Sequence, residues 1–173
     1  MKRKLLTLAL VAILAISAVG CGGNGTSDSG GSSFVSQEEN QTSEPMSEDA
    51  YLTEVEGLSA AEEDFLMAYL NVLSDDVDVK TRIERVRVTK DPFIAFSEIT
   101  NPPQGYEEVH SRLAEASGRY GDFIDSYADL LWDTSEGLIR DREYDKVMEK
   151  LTAEQEEITS EIEKARAEIE AAQ

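Results

Sequence analysis

Apolar residues recur every three or four positions over most of the C-terminal part of the chain, which is the spacing of one face of an α-helix. The stripe is clearest in two long stretches, Tyr106 to Leu131 and Tyr144 to Ile169. An earlier stripe runs from Tyr51 to Leu73 and contains Ser59-Ala60-Ala61-Glu62, a capping-box pattern that allows a break near Gly57. Each stripe predicts an amphipathic helix with one buried face.

The stretch between the first two of these stripes is shorter and mixed in pattern. Apolar residues from Val79 to Val86 have helical spacing, whereas residues 86–89 alternate between apolar and polar as a strand does. We favour a helix that begins after Asp78, a good N-cap residue. Asp91-Pro92 is typical of the N-cap and first turn of a further helix, and the consecutive prolines within residues 101–105 force a turn.

Amphipathic helices joined by short polar turns can bury their apolar faces only against one another. The predicted fold class is therefore all-α, an antiparallel three- to four-helix bundle that follows a disordered linker. We assign residues 1–20 to a signal peptide, residues 21–48 to the linker and residues 49–173 to the bundle. A bundle of about 125 residues is long enough to form a hydrophobic core.

The N-terminus has the pattern of an export signal. Lys2-Arg3-Lys4 is positively charged, and Leu5 to Val19 is an uncharged, mostly apolar run. A helix needs about 20 apolar residues to cross a bilayer, so this run is short for a permanent span, and no charged cluster follows it. The pattern therefore favours a cleaved signal peptide.

The end of that run, Ser17-Ala18-Val19-Gly20-Cys21, resembles the lipobox of bacterial lipoproteins, in which small residues precede a cysteine that is acylated and becomes the new N-terminus. The resemblance implies cleavage between Gly20 and Cys21, palmitate or a related acyl chain on Cys21, and a position on the extracytoplasmic face of the cell membrane. Two alternatives stay open. Ordinary secretory cleavage would leave a free thiol on Cys21, and an uncleaved run would be a retained anchor.

A second, looser resemblance lies around the predicted turn. Pro102-Pro103, followed by Tyr106, His110 and Leu113, is similar to a recurring element of helical domains in bacterial surface lipoproteins. This resemblance spans about 25 residues. It implies a helical bundle and brings no activity with it.

The segment from Gly22 to Glu48 contains five Gly, seven Ser and five acidic residues, with no Lys or Arg. Such a composition cannot bury enough apolar surface to fold, so we expect disorder. A flexible chain of this length has a root-mean-square reach of about 30 Å. The segment is therefore expected to hold the bundle away from the membrane.

The chain is strongly acidic, with a net charge of −20. Removal of the signal peptide, which has three cations and no acid, leaves 13 basic and 36 acidic residues, a charge of −23. Nucleic acid is therefore not an expected partner. The linker has no basic residue that could bind anionic lipid, so the acyl chains on Cys21 must supply nearly all of the membrane attachment.

His110 is the only histidine in the chain. With Glu107 it forms a Glu-x-x-His pattern, which places two potential metal ligands on one helical face, as in di-iron bundles. Those centres need a second such pattern, so we predict no metal and no cofactor. We expect His110 to be a boundary or capping residue beside the double-proline turn, with pH sensing or ligand binding as the alternative.

Five cations lie within eleven residues and form the one basic cluster of the sequence: Lys80, Arg82, Arg85, Arg87 and Lys90. We expect the cluster to pack beside acidic helices such as the last one. The alternative is that an anionic envelope polymer or a partner docks on it.

The sequence contains no recognisable catalytic arrangement. Its single cysteine excludes an intrachain disulfide, and His110 lies in no nucleophile motif. Trp132, Tyr120 and Tyr127 follow the helical spacing and are predicted to be core residues. We therefore expect a non-enzymatic binding module whose partner is another envelope protein. The alternative is a small-ligand or metal carrier with a pocket near His110.

The lipid on Cys21 is tested by mass spectrometry of the N-terminal peptide of protein extracted from membranes. We expect that peptide to begin at Cys21 and to carry the added mass of acyl chains, because the lipobox cysteine becomes the acylated N-terminus. An unmodified Cys21, or a peptide that retains Lys2-Arg3-Lys4, contradicts the prediction.

Overall fold

A computed structural model of the protein describes residues 44–72 and 77–172. Within these residues the chain forms five α-helices and no strand. They are α1 (Glu48–Asn71), α2 (Val79–Arg87), α3 (Asp91–Ser97), α4 (Glu107–Ser135) and α5 (Asp141–Ala172), and a 3₁₀ turn, Val88–Lys90, joins α2 to α3. The all-α fold class predicted from the spacing of the apolar residues is confirmed, and α2 and α3 together take the place of one helix of a four-helix bundle.

Side chains cap the first turns of α1 and α2. Ser47 Oγ accepts a backbone N–H from the first turn of α1 at 3.3 Å. The carboxylate of Asp78 accepts the Thr81 N–H at 3.0 Å and the Thr81 hydroxyl at 2.6 Å, so Asp78 is the N-cap that its position predicted. Asp91 is instead the first residue of α3, because the 3₁₀ turn carries the chain into α3 without leaving helical backbone geometry.

The first helix runs through Gly57 without a break, so the capping-box pattern at Ser59 does not begin a helix. Val55, Leu58 and Phe65 lie on both sides of Gly57 and are buried in the same core. A continuous apolar stripe favours one helix over two, because a break would rotate half of the stripe away from that core.

The folded part begins before α1. The Met46 N–H donates to the carbonyl of Asn101 at 2.8 Å, and the Asn101 side-chain amide donates to the carbonyl of Glu44 at 2.8 Å. Met46 also packs against the core. The composition assigned residues up to Glu48 to the linker, whereas these contacts tie residues 44–47 to the turn between α3 and α4.

With α2 and α3 taken together as one unit, successive helices run in opposite directions, and α4 lies at the centre, where it packs against α2, α3 and α5. Arg112, near the start of α4, pairs with Glu168, near the end of α5, and Arg87, at the end of α2, reaches Asp129 in the second half of α4. We call the end at which α1 and α4 begin the proximal end. The distal end is where α1 and α4 finish and where α2 and α5 begin.

An aromatic cluster fills the core between α1, α3 and α4. The ring of Phe65 lies edge-on to Tyr120, Phe123 and Tyr127, with centroids 5.9, 5.5 and 6.2 Å away, and Phe93 stacks on Tyr120 at 4.4 Å. Where α5 packs on α4, the buried residues of α5 are aliphatic: Leu151, Ile158, Ile162, Ala165 and Ile169. Each aromatic pair contributes about 0.5–1.5 kcal/mol beyond the area that it buries.

The third helix approaches α4 where α4 lacks side chains, at Gly118 and Gly121. A Cβ atom on Gly121 would lie 2.5 Å from Cδ1 and 3.1 Å from Cγ1 of Ile94. A Cβ atom on Gly118 would lie 3.6 Å from that of Ser97, an ordinary contact, and one on Gly57 would meet no atom within 4 Å. Of these three positions, only Gly121 requires glycine for packing.

Alanine substitutions test this close approach. Replacing Gly by Ala within an exposed helix raises stability by about 0.5–1 kcal/mol, and we expect Gly57→Ala to reach that value. Gly121→Ala is expected to lower the free energy of unfolding by about 1 kcal/mol, because Ile94 must move. Urea unfolding of the full chain, followed by circular dichroism, measures both. Gly118→Ala is the matched control on the same helix, and a stabilised Gly121→Ala variant would show that α3 does not depend on glycine there.

Candidate functional site

The cleavage and lipidation residues predicted from the sequence, Gly20 and Cys21, lie outside the described residues, as does the rest of the chain up to residue 43. Among the helices of residues 44–72 and 77–172, none is both long enough and apolar enough to cross a membrane. Candidate sites are therefore sought on the bundle.

His110 lies on the first turn of α4 at the proximal end and is 6% exposed. Its Nε2 is 2.8 Å from the carbonyl oxygen of Ile99, and its Nδ1 is 3.3 Å from the hydroxyl of Tyr51. A carbonyl only accepts, so Nε2 carries the proton and donates to Ile99, while Nδ1 accepts from Tyr51. Burial raises the pKa of Tyr51 to about 12, so its hydroxyl keeps the proton that it donates. Both ring nitrogens are thus used inside the bundle.

Glu107, the other member of the Glu-x-x-His pattern, is exposed and has a different partner. Its Oε2 accepts the N–H of Gly105 at 2.9 Å, and this bond closes the turn before α4. Gly105 has a φ of 95°, which glycine adopts without strain. Glu107 and His110 are therefore not brought together as ligands. Nowhere in residues 44–72 and 77–172 do three or more His, Cys, Asp or Glu side chains form a group that could hold a metal.

Two members of the basic cluster join α2 and the 3₁₀ turn to α4. Arg87 Nη1 lies 2.9 Å from Asp125, and Arg87 Nη2 lies 2.7 Å from Asp129. Lys90 forms a second ion pair with Asp125. The hydrogen bond to Asp129 raises the pKa of Arg87. The sequence suggested packing against acidic helices such as the last one, whereas these two cations pair with α4.

Two other members of the cluster, Arg82 and Lys80, lie near the distal end. Arg82 Nη1 donates to the carbonyl of Val72 at 2.6 Å, and Lys80 Nζ lies 5.0 Å from the centroid of the Trp132 ring. Trp132 is 37% exposed, so its prediction as a core residue was wrong. The reason is geometric: Trp132 lies in the last turns of α4 opposite the first turn of α2, where a lysine and not an apolar side chain covers the indole.

Arg85, the fifth cation, lines an open groove of about 350 Å³ between α1 and the α2–α3 segment. The groove is lined by Ala61, Asp64, Ala68 and Asn71 on one wall and by Arg85, Val88, Thr89 and Pro92 on the other. Among residues 44–72 and 77–172, no ion pair is formed by Arg85. Val88 is 50% exposed. Of the five cations, Arg85 is thus the one most open to a partner.

Exposed apolar side chains gather in the distal half of the bundle. The described residues expose seven large apolar side chains, and six of them lie there: Met67, Leu70, Val79, Trp132, Leu138 and Val147. The seventh, Val88, lies midway along the bundle. Singly exposed apolar residues are ordinary, and these six come from α1, α2, α4, α5 and the turn between α4 and α5, all toward one end of the bundle. We call this group of six residues the distal face.

Leu138 is the most exposed member of the distal face, at 71%. It follows Gly137, whose φ of 71° ends α4 in a Schellman motif: the Leu138 N–H donates to the Asp133 carbonyl at 2.8 Å, and the Gly137 N–H donates to the Thr134 carbonyl at 3.2 Å. The apolar residue at this position of a Schellman motif often folds back and contacts the helix. Here the motif fixes the backbone while the side chain stays in solvent.

Cations without an ion pair border the distal face. Arg142, Lys146 and Lys150 are spaced by four residues on the exposed side of α5, and Arg140 precedes them. In the part of the chain that the structure describes, none of these four forms a salt bridge. The sequence does not single out this region, because acidic residues are interspersed with the cations. The signal available was Leu138, an apolar residue in a turn.

Glu62 is a further residue that the sequence pattern does not single out. The capping-box pattern places it in the first turn of a helix, whereas the continuous α1 places it among the buried residues Leu58 and Phe65. Burial raises the pKa of Glu62 to about 7, an effect that Arg166 opposes. The available signal was its position three and four residues from apolar stripe members.

Comparison of the chain with known protein families, with curated proteins and with solved structures gives no match. The function must therefore be argued from the residues themselves.

Alanine substitutions of Arg87 and Arg85 test whether these two members of the basic cluster contribute differently to the free energy of unfolding. We expect Arg87→Ala to lower the free energy of unfolding by about 1 kcal/mol, because it removes two partly exposed ion pairs between α2 and α4. Arg85→Ala is the matched control, and we expect a change within about 0.5 kcal/mol because it breaks no such pair. Urea unfolding of the full chain measures both. Equal losses would mean that the cluster stabilises the fold as one unit.

Proposed function

We propose that this protein is a lipid-anchored binding module, attached through Cys21 to the extracytoplasmic face of the cell membrane. The export pattern of residues 1–19 and the lipobox resemblance of the residues before Cys21 support the anchor. The Gly- and Ser-rich composition that follows supports a spacer with a reach of about 30 Å. The module acts by binding and carries out no catalysis.

The observation that carries the binding role is the location of the distal face. The chain joins the bundle at the proximal end, where Met46 bonds to Asn101. The 29 residues of α4 extend about 43 Å from there at 1.5 Å per residue. The exposed apolar side chains thus lie far along the bundle from the point at which the spacer attaches. An anchored protein arranged in this way presents its most apolar surface away from the end at which the spacer joins the bundle.

The chemistry of the distal face indicates the kind of partner. Leu138, Val147 and Trp132 offer apolar contact area, and aromatic residues at such positions often dominate binding energy. Arg142 and Lys146 are free to pair with carboxylates at the border of the contact. We therefore propose that the partner is another envelope protein, with an apolar patch bordered by acidic residues.

The alternative of a small-ligand or metal carrier lacks a supporting observation. A ligand at His110 would need a free ring nitrogen, and both nitrogens already bond to Tyr51 and Ile99.

Site-specific photo-crosslinking in intact cells tests the proposed surface. A photoreactive residue at Leu138 is expected to form an adduct with one protein, because the distal face contacts the partner directly. The same residue at Ala167, which is exposed in the proximal half of α5, is the control and should not form that adduct. Identical adducts from both positions, or none from Leu138, would refute the distal face as the binding surface.

Binding of the purified, identified partner then completes the test. Leu138→Ser combined with Val147→Ser should weaken binding at least about ten-fold in calorimetry, because an apolar hot-spot residue costs about 2 kcal/mol or more when truncated and about 1.4 kcal/mol is tenfold in affinity. Val88→Ser is the matched control, because Val88 is comparably exposed but lies outside the distal face. Weakening by Val88→Ser alone would instead locate the partner at the groove beside Arg85.

A further inference from the structure

Glu62 has a carboxylate that is partly buried in the folded domain. Its side chain is 24% exposed, and its Oε1 is buried without a hydrogen-bond partner among the described residues. Its Oε2 is 4.0 Å from Arg166 Nη1, at the outer limit of an ion pair. A buried carboxylate oxygen without a donor favours the protonated form, because ionisation there has no compensating hydrogen bond.

The groups around Glu62 come from two other helices. From α5, Arg166 stabilises the ionised form and Glu163 opposes it, and burial is the largest of the three effects. From α4, burial raises the pKa of the Tyr120 hydroxyl, and the nearby charge of Glu62 raises it further. Glu62 therefore lies where α1 meets α4 and α5.

Around this position, neither α4 nor α5 packs its backbone closely on α1. Within the described residues, α5 packs its backbone closely on α4, and α1 packs on α2 and α3, but α1 and α5 are not closely packed. Ser59 Oγ, one turn before Glu62, is also buried without a partner in this part of the chain. Glu62 thus meets α5 through the Arg166 side chain, and its Oε1 stays unsatisfied.

We propose that Glu62 is a proton-operated latch, which closes α5 against α1 when its carboxyl is protonated and loosens that contact when the carboxyl is ionised. The α4–α5 packing, with its Arg112 and Arg119 ion pairs, holds α5 on the bundle in both states. This latch belongs to the domain alone and does not depend on the lipid anchor or on a partner.

The sign of the pH dependence follows from the direction of the shift. The pKa of Glu62 is raised from its ordinary 4.5 to about 7 in the folded state. The folded state therefore binds the proton more tightly than the unfolded state does. The stabilisation is fully present below the ordinary pKa and is lost as the pH rises through about 7. The latch accordingly opens between mildly acidic and mildly alkaline pH.

Carbon-13 NMR of the Glu carboxyl groups in the full chain, purified in detergent, measures the midpoint directly. The signal lost in Glu62→Gln is expected to titrate near pH 7. Arg166→Gln should move that midpoint up by about half a unit or more, because it removes the cation that favours ionisation. Glu163→Gln should move it down, because it removes a like charge. A midpoint near 4.5, or shifts in the same direction for both variants, overturns the proposal.

Hydrogen exchange of the same protein, corrected for the intrinsic pH dependence of exchange, tests the opening. Protection of residues 158–170 in α5 should fall about 10- to 100-fold between pH 5.5 and pH 8, since one pKa unit corresponds to a tenfold change. Glu62→Gln should abolish this fall, and the neighbouring exposed Glu63→Gln should retain it. An equal fall in α2 and α3 would indicate global unfolding and would overturn a local latch, as would a fall that persists in Glu62→Gln.

Discussion

Burial against α4 is the constraint on which the rest of the domain depends. This helix presents an aromatic face to α1 and α3 and an adjacent face to α5, so every other helix is positioned by a contact with it or with its neighbours. Gly121 permits the closest of these contacts by leaving space for Ile94. Because α4 is covered along most of its length, the surfaces left for other roles are the contacts between outer helices and the ends of the bundle.

The ion pairs follow from this arrangement in a chain with many more acids than bases. Arg87 joins α2 to α4, and Arg119 reaches Glu157 and Glu161 of α5 at 2.9 and 2.6 Å. Each pair places a cation between helices whose carboxylates would otherwise repel one another. Such partly exposed pairs are individually weak, so they set the alignment of the helices more than they add to stability. Among the described residues, Lys146 and the cations near it do not join helices through ion pairs, and they border the distal face.

The two ends of the bundle have opposite characters. At the proximal end, His110 is hydrogen-bonded to Tyr51 and Ile99, and Asn101 accepts a hydrogen bond from the segment that precedes α1. At the distal end, Leu138 and Val147 are exposed, and a lysine covers the indole of Trp132. The end beside residue 44 is thus closed, and the exposed apolar side chains lie toward the other end. The latch at Glu62 lies between them, where proton binding alters one helix contact and not the whole fold.

The spacing of apolar residues predicted the helices and the all-α class, because helix formation depends on neighbours three and four positions away, and the consecutive prolines predicted the turn at residues 101–105. Local spacing also located Asp78 as an N-cap. The tertiary structure decided which helix faces which, and that choice gave Arg87 its partners on α4, occupied both nitrogens of His110, exposed Trp132 and buried Glu62. These outcomes depend on residues far apart in the chain, whose proximity arises only when the stripes pack against one another.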